Sequence, residues 1–324
     1  MEQKYQLRKD LTIEVNNKTL YRIQALRTFG KTRIGALGVV EKGELGGYVE
    51  SEENLSHDGN CWIFGNACVL DNARVEGNAL VGHYAKVFGN AFVYDGAFVS
   101  SSAEVYGNAK IFGDAQLYGA AQVFAKAKVY ENAKVFGDAQ VFGEACIYES
   151  AKVYDKAQVF AKAKVCGNAK VFGNAWVYGE SYLKDDCYVF DNANVGGSVK
   201  IFDNAKVFGE ANINDNAYIL GHAKVHGNCV IYDNVVAYGK ADLWGDILSD
   251  KNCHNIKDVC GSFKEYLQDK SVNIKTIDDY ENLQNDCVTI QVPDDYEIDT
   301  ENSTFECIRF KKKSEEMHVW DDLL

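Results

Sequence analysis

A six-residue phrase repeats without interruption through most of this chain. From Ile63 in steps of six to Leu243 there are 31 positions, and all but Ala237 are Val, Ile or Leu. The fifth residue of each unit, from Ala67 to Ala241, is Ala at 25 of 30 positions. Side-chain direction repeats every two residues in a strand and every 3.6 residues in a helix. Neither period alone accounts for a six-residue unit with one large and one small inward position. We expect both sites to face a narrow interior, inside a coil of three short strands joined by tight corners.

The third and fourth residues of the unit are often Gly, Asp or Asn, which tolerate the positive φ angles of tight corners. Three units make a coil of about 18 residues, the repeat typical of a left-handed parallel β-helix. We therefore predict an all-β fold in which residues 61–246 form about ten hexapeptide-repeat coils. The resulting prism would be about 50 Å long.

The second residue of each unit points outward, so aromatic side chains at this position in successive coils are expected to stack in ladders. These ladders are Tyr118, Phe136, Tyr154, Phe172, Phe190 and Phe208; Phe88, Tyr106, Phe124, Phe142, Phe160 and Tyr178; and Tyr94, Phe112, Tyr130 and Tyr148. Lysines at the sixth position stack beside them, as Lys134, Lys152 and Lys170 and as Lys110, Lys128 and Lys164. We expect the ring contacts to stabilise the stacked coils, and at least one aromatic strip to be buried in a homo-oligomer.

The two ends of the chain lack the phrase. Residues 1–60 carry strand-like runs and are predicted to form a small β cap over the first coil, because a β-helix end exposes unpaired backbone groups. Residues 247–324 are predicted to form an α+β cap, with Ile256, Val259, Phe263 and Leu267 on one helical face.

The composition disfavours some classes of partner and indicates the compartment. The formal net charge is -13 without a long run of like charge, which disfavours duplex DNA and an anionic membrane as main partners. No apolar run approaches the roughly 18 residues of a membrane span, and the first residues lack an apolar signal core. Ten cysteines without a CxxC pair favour a reducing compartment. We therefore expect a cytoplasmic protein.

Motifs for catalysis, cofactors or metals are absent from the sequence. Cys253, His254 and Cys260 are the nearest approach to a metal-ligand spacing, and we predict neither a metal nor a cofactor. No phosphate-binding glycine loop, nucleophile elbow or HExxH motif occurs. His222 and His226, flanked by Lys224, are weak candidates for a general base.

Function is then expected where the chain departs from its phrase, or in the two caps. The departures favoured as ligand-binding residues are Trp176, Tyr182, Lys184, Tyr188, Lys224, His226 and Trp244. Residues 182–186 and 195–199 are the least regular units, and a binding groove is expected to pass there.

The segment GELGGYVESEENLSHDGNCWIFGNA, residues 43–67, resembles the start of YdcK-like bacterial and phage-encoded β-helix proteins. The repeat is similar to the broader LpxA-like superfamily, which contains UDP-N-acetylglucosamine acyltransferases and the xenobiotic and serine acetyltransferases. This resemblance implies a trimer, and in the enzymes a catalytic histidine, a cleft between subunits and an extruded loop over the acyl donor. The phrase VPDDYEIDTENSTFECIRFKKK, residues 292–313, looks like endings of phage-associated proteins and suggests a phage or prophage origin.

Three functions remain open at this point. The leading hypothesis is a non-catalytic, oligomeric scaffold or binding protein that presents aromatic and lysine ladders to a protein partner or a ligand. The second is a phage counter-defence protein that sequesters a small anionic molecule of nucleotide type, held by lysines and aromatic rings between subunits. The third is a hexapeptide acyltransferase, although the unbroken phase from 63 to 243 leaves no room for an extruded loop.

Overall fold

The computed structural model describes residues 3–30, 39–233, 235–245, 247–248, 296–298, 310–312 and 317–318. Two-residue strands stacked along one axis build a parallel β-solenoid with three flat faces, named A, B and C below. The described residues contain one short helix, a 3-10 turn over Glu52–Asn54. The prediction of an all-β solenoid built from coils of three hexapeptide units is confirmed, and the 11 strands of face B correspond to about one coil more than the ten predicted.

Face A is a sheet of 14 strands. Its strands are β1 Tyr5–Val15, β2 Lys18–Ala25, β3 Leu45–Val49, β5 Cys68–Val69, β8 Lys86–Val87, β11 Glu104–Val105, β14 Gln122–Val123, β17 Gln140–Val141, β20 Gln158–Val159, β23 Trp176–Val177, β26 Asn194–Val195, β29 Asn212–Ile213, β32 Val230–Ile231 and β35 Ile247–Leu248.

Faces B and C complete the coil. The strands of face B are β4 Trp62–Ile63, β7 Leu80–Val81, β10 Phe98–Val99, β13 Gln116–Leu117, β16 Lys134–Val135, β19 Lys152–Val153, β22 Lys170–Val171, β25 Tyr188–Val189, β28 Lys206–Val207, β31 Lys224–His226 and β34 Asp242–Trp244. Those of face C are β6 Arg74–Val75, β9 Phe92–Val93, β12 Lys110–Ile111, β15 Lys128–Val129, β18 Cys146–Ile147, β21 Lys164–Val165, β24 Tyr182–Leu183, β27 Lys200–Ile201, β30 Tyr218–Ile219 and β33 Val236–Ala237.

The interior is one column of alternating large and small side chains. The aliphatic first position and the alanine-rich fifth position are buried along the whole column, from Ile63 to Leu243, as the repeat predicts. Strands of successive coils pair in register, for example Lys152 with Lys170 and His226 with Trp244. Since only one large side chain per unit points inward, the outward second and sixth positions are left to carry any function.

The corners follow a stricter rule than the sequence suggests. The third residue of every unit, from Gly65 to Gly245, has a φ between 56° and 74°, and the fourth residue does not share this conformation. The expectation that both corner residues need positive φ is therefore wrong for the fourth. Its backbone N–H instead donates to the next coil, as from Asn66 to the His83 carbonyl at 2.7 Å.

Carboxylates at the third position compensate for this left-handed backbone. Side-chain oxygens accept a hydrogen bond from the backbone N–H of the equivalent residue one coil on, which satisfies a donor that the corner would leave unpaired. The accepting residues are Asp71, Asp95, Glu131, Glu149, Asp155, Asp185, Asp191, Asp203 and Asp215. Glu131 and Glu149 therefore hold neighbouring coils together.

The N-terminal residues extend face A and pack on the first coil. Strands β1, β2 and β3 are antiparallel, and β3 then pairs in parallel with β5. The Tyr5 hydroxyl donates to the Leu55 carbonyl at 2.7 Å, and the buried Lys4 ammonium donates to the Cys61 carbonyl at 3.0 Å. Leu55 also bridges Val75 in parallel, so stacking begins before Ile63.

At the other end the register changes. Strand β35 pairs with β32 through Val230 and Ile247, whereas an unbroken phase would place residue 248 opposite Val230. One residue has therefore been dropped from the last coil. A small antiparallel sheet joins β36 Tyr296–Ile298, β37 Phe310–Lys312 and β38 Met317–His318. The helix predicted around Ile256–Leu267 and the residues Cys253, His254 and Cys260 lie outside the described residues.

Candidate functional site

The three aromatic ladders form as predicted. Neighbouring rings are parallel within 9°, with centroids 4.8–5.1 Å apart. The ladder on face B continues for one more rung, because the His226 imidazole stacks on Phe208 at 4.7 Å.

Stacking decides what these ladders can offer a ligand. Each inner ring covers the faces of its two neighbours, so the ladder presents ring edges to solvent. The π system of an aromatic ring is negative on its faces and positive at its edge. A stacked ladder therefore presents a weakly positive rim, which suits an anion better than a cation or a flat ring.

Beside the ladder, face B carries a row of lysines at the sixth position, which we call the lysine row. Its members are Lys134, Lys152, Lys170, Lys206 and Lys224. Tyr188 takes the place of a lysine between Lys170 and Lys206. Lys134, Lys152 and Lys170 are direct register partners in successive coils.

The first two lysines of the row have no counter-ion in the described part of the chain. No carboxylate there lies within 4.0 Å of the Nζ atom of Lys134 or Lys152. Two lysines at the corners do have counter-ions. Lys126 pairs with Glu144 and Lys162 with Glu180, each at 2.8 Å and one coil apart. Lys126 and Lys162 at the corners are thus paired with carboxylates, whereas Lys134 and Lys152 on face B stack on each other.

Several acidic residues at one edge of face B are engaged by the backbone. Carboxylates at the corner between faces C and B accept backbone N–H groups of the next coil. These residues are Asp95, Glu131, Glu149, Asp185 and Asp203. These hydrogen bonds hold the carboxylates at the corner, so positive charge is concentrated on the flat face beside it although the chain as a whole carries -13.

Among the described residues, the lysine of the row that lies within 4.0 Å of a carboxylate is Lys224, at its far end. Lys224 lies 3.8 Å from Asp242, and Nε2 of His226 lies 2.6 Å from the same carboxylate. Trp244 follows with 68% of its surface exposed, and its indole leans over the corner at Gly227.

The structure brings together four of the predicted ligand-binding residues and separates the other three. Tyr188, Lys224, His226 and Trp244 all belong to face B. Trp176 lies on face A, 46% exposed, with its ring edge-on to Phe160.

The remaining two predicted residues, Tyr182 and Lys184, lie on face C, where the Tyr182 ring meets Phe202 edge-on. The weak base candidate His222 is exposed at the corner between faces C and B.

The irregular unit around Gly196 has a packing explanation. A Cβ atom at Gly196 would lie 2.4 Å from Cζ of Tyr178, whose ring covers this position. The Tyr178 hydroxyl lies 3.2 Å from Oδ1 of Asn214, two coils away. Gly82 is covered in the same way by Phe64. At Gly196, within one of the two units where the sequence suggested a groove, the space is therefore filled by the Tyr178 ring.

Face A differs from face B in charge. Its sixth-position row includes Gln122, Gln140 and Gln158, and the Gln140 amide donates to Gln122 at 3.3 Å. Lys86 and Glu104, earlier in this row, pair with each other at 3.4 Å. Face A is therefore neutral along most of its length.

Two members of the face B constellation were missed at the sequence level, Lys206 and Asp242. The signal for both is the spacing of 18 residues. Lys206 is 18 residues after Tyr188, and Asp242 is 18 residues after Lys224. Stepping by one unit groups residues of all three faces, whereas stepping by a whole coil isolates one face.

Reactive groups in the described ranges are either buried or dispersed. No cluster of three or more His, Cys, Asp or Glu side chains there has the placement of a metal site. Cys187 is fully buried, and this burial raises the pKa of its thiol. Among the described elements, none is a helix with the length and apolar character needed to traverse a bilayer.

No protein-family model matches the chain, and no curated protein is similar to it. The assignment of function therefore rests on the geometry of face B and on the chemistry of its side chains.

Proposed function

We propose that this protein is a non-catalytic β-solenoid scaffold whose lysine row on face B binds an anionic ligand. One observation carries the proposal: Lys134, Lys152 and Lys170 stack in register, and the first two lack a counter-ion among the described residues.

Stacked lysines are unfavourable for the fold alone. Like charges directly opposite each other in a sheet destabilise it, and the repeat accepts uncharged side chains at this position, such as Gln116 in the same row. Positions that break a local rule without an internal compensation are expected at functional sites. A bound anion would supply the missing compensation.

The test uses the contrast between the row and the net charge. A chain with a net charge of -13 should pass through a sulfonate cation exchanger at neutral pH and low salt. We expect the wild-type protein to be retained, because the row presents concentrated positive charge to the resin. The double variant K134Q/K152Q should be retained clearly less than the wild type, and the lysines of face C, such as Lys110 and Lys128, account for any retention that is left.

The matched control is K126Q/K162Q, which removes the same charge from corner lysines already paired with Glu144 and Glu180. It should be retained like the wild type. Flow-through of the wild type, or equal loss of retention in both variants, would reject the lysine row as an anion site.

Self-association is part of the proposal and is assigned to face A. Two copies meeting through face B would oppose their lysine rows, whereas face A offers glutamines, an aromatic ladder and the exposed Trp176. Native mass spectrometry should give an oligomer that Q140K dissociates and that Q116K, the equivalent change on face B, leaves intact. A monomeric wild type would refute this assignment. The trimer and the phage origin remain predictions.

A second candidate function is acyl transfer, favoured by the 2.6 Å contact between His226 and Asp242. A carboxylate that orients an imidazole is the arrangement of a general base. If the protein transfers acyl groups, wild type should consume acetyl-CoA and D242N should not. Absence of turnover in the wild type would leave the scaffold proposal alone.

A further inference from the structure

We propose that the ligand of the lysine row is a single linear acidic polysaccharide chain that lies along the solenoid axis. This inference rests on the proposed function, because it names the ligand class of the same row.

The length of the row favours a polymer. Lys134 and Lys224 are five coils apart, which corresponds to about 24 Å at the usual strand spacing. A compact anion could contact only neighbouring lysines, and it would leave the rest of the row uncompensated. An extended chain parallel to the axis contacts every lysine, and each added contact strengthens binding without further loss of overall translational freedom.

The edges of face B favour a narrow chain. Carboxylates line the corners on both sides, accompanied by two basic residues, Lys156 and His222. On the side of face C they are Glu131, Glu149, Asp185, Asp186 and Asp203, and on the side of face A they are Asp138, Asp155, Asp191 and Glu210. A duplex or a lipid surface would be wide enough to meet these carboxylates, and like charge would repel it. A single chain lies between them.

The aromatic ladder disfavours single-stranded nucleic acid. Proteins that hold single strands stack the bases on exposed ring faces. Along the ladder those faces are covered by neighbouring rings at about the coil spacing, as between Phe136 and Tyr154 at 4.8 Å. A sugar chain needs no ring face, and its acidic groups are complementary to both the lysines and the positive ring edges.

The spacing of charge matches an acidic polysaccharide. The row offers one cation per coil, interrupted only at Tyr188. A polyuronate carries one carboxylate per sugar ring, so its charges are spread singly along the chain, as the lysines are along the row. A polyphosphate carries its charges more closely and would leave many without a lysine.

The experiment measures fluorescence anisotropy of end-labelled oligogalacturonates, from the disaccharide to the decasaccharide, with the full chain. We expect affinity to rise with each added sugar until the oligomer spans the row, and then to level off. K134Q/K152Q should bind the decasaccharide about tenfold more weakly, which is the effect of losing two surface charge contacts. K126Q/K162Q should bind like the wild type.

The outcomes separate this inference from the proposed function. If the wild type is retained on the sulfonate resin but binds disaccharide and decasaccharide equally well, the inference of a polymeric ligand is rejected. The proposal of an anion site at the lysine row then stands. Tighter binding of a polyphosphate or a single-stranded oligonucleotide of equal charge would overturn the polysaccharide. Flow-through of the wild-type protein on the sulfonate resin would overturn both.

Discussion

The Nζ atom of Lys170 lies 3.1 Å from the hydroxyl oxygen of Tyr188, one coil further along face B, and 4.8 Å from the centroid of its ring. Lys206, from the coil beyond, lies 5.5 Å from the same ring. Cations are attracted to aromatic rings. Tyr188 therefore interrupts the lysine row in sequence but stabilises the charges on both of its sides.

Replacing Tyr188 by Phe keeps the ring and removes the hydroxyl whose hydrogen bond raises the pKa of Lys170. A lysine whose pKa is raised in the folded state stabilises the fold fully below its unfolded value, and this contribution is lost as the pH rises through the folded value. Y188F should therefore melt at a lower temperature than wild type at pH 7, and the gap should close above the ordinary lysine pKa of 10.5.

Thermal unfolding followed by circular dichroism across this pH range checks the prediction. The control compares the melting temperatures of K170Q and K170Q/Y188F. Without the Lys170 ammonium, the difference between these two variants should not depend on pH. A gap between Y188F and wild type that is unchanged at high pH would show that the hydroxyl acts through something other than Lys170.

The ladder on face B predicts unequal costs for two identical substitutions. Tyr154 stacks on Phe136 and Phe172, whereas Tyr118 is the first rung and stacks on Phe136 alone. Stacked aromatic pairs contribute about 0.5–1.5 kcal/mol beyond simple burial. Y154A should therefore destabilise the protein by about that much more than Y118A, measured by urea unfolding. Equal losses would mean that the rungs act as independent hydrophobic side chains.

Substitutions at Gly196 and Tyr178 should be coupled in their effects on the free energy of unfolding. The Ala substitution at Gly196 forces the Tyr178 ring away and is expected to cost about 1–3 kcal/mol, the usual cost of overpacking. In a Y178A background the same substitution should cost much less, since the ring is gone. A double-mutant cycle in urea measures the difference, and additive costs would contradict the packing explanation.

The repeat made the interior and the ladders predictable because each depends on a single position within the six-residue unit. Val, Ile or Leu at the first position and Ala at the fifth can only be satisfied together inside a three-sided coil. Once each coil holds three units, the aromatic neighbours follow by arithmetic, as for Tyr118 and Phe136. The same arithmetic contains the lysine row.

Other features depend on contacts that no period encodes. The first coil begins before Ile63, but Leu55 does not stand one unit before it, so the phase is broken where the stacking starts. Gly196 looked like a departure reserved for function, although a ring from the preceding coil requires it. Whether a lysine is paired depends on the identity of its equivalent in the next coil, as Lys126 with Glu144 shows.

The corner carboxylates yield the last prediction, in which two effects are separated at one position. Asp215 has a φ of 59°, and its Oδ2 accepts the backbone N–H of Asp233 at 3.0 Å. Asparagine keeps both the acceptor and the tolerance of this backbone, so D215N should be close to wild type. Glycine keeps only the tolerance, and D215G should lose about 0.5–1.5 kcal/mol for the hydrogen bond. Alanine keeps neither, and D215A should lose about 1–2 kcal/mol more than D215G.

Urea unfolding of the three variants gives the order directly. If D215G matches wild type, the hydrogen bond between coils contributes nothing. If D215A matches D215G, the left-handed corner imposes no strain, and the many non-glycine residues at this position need no carboxylate to compensate for it.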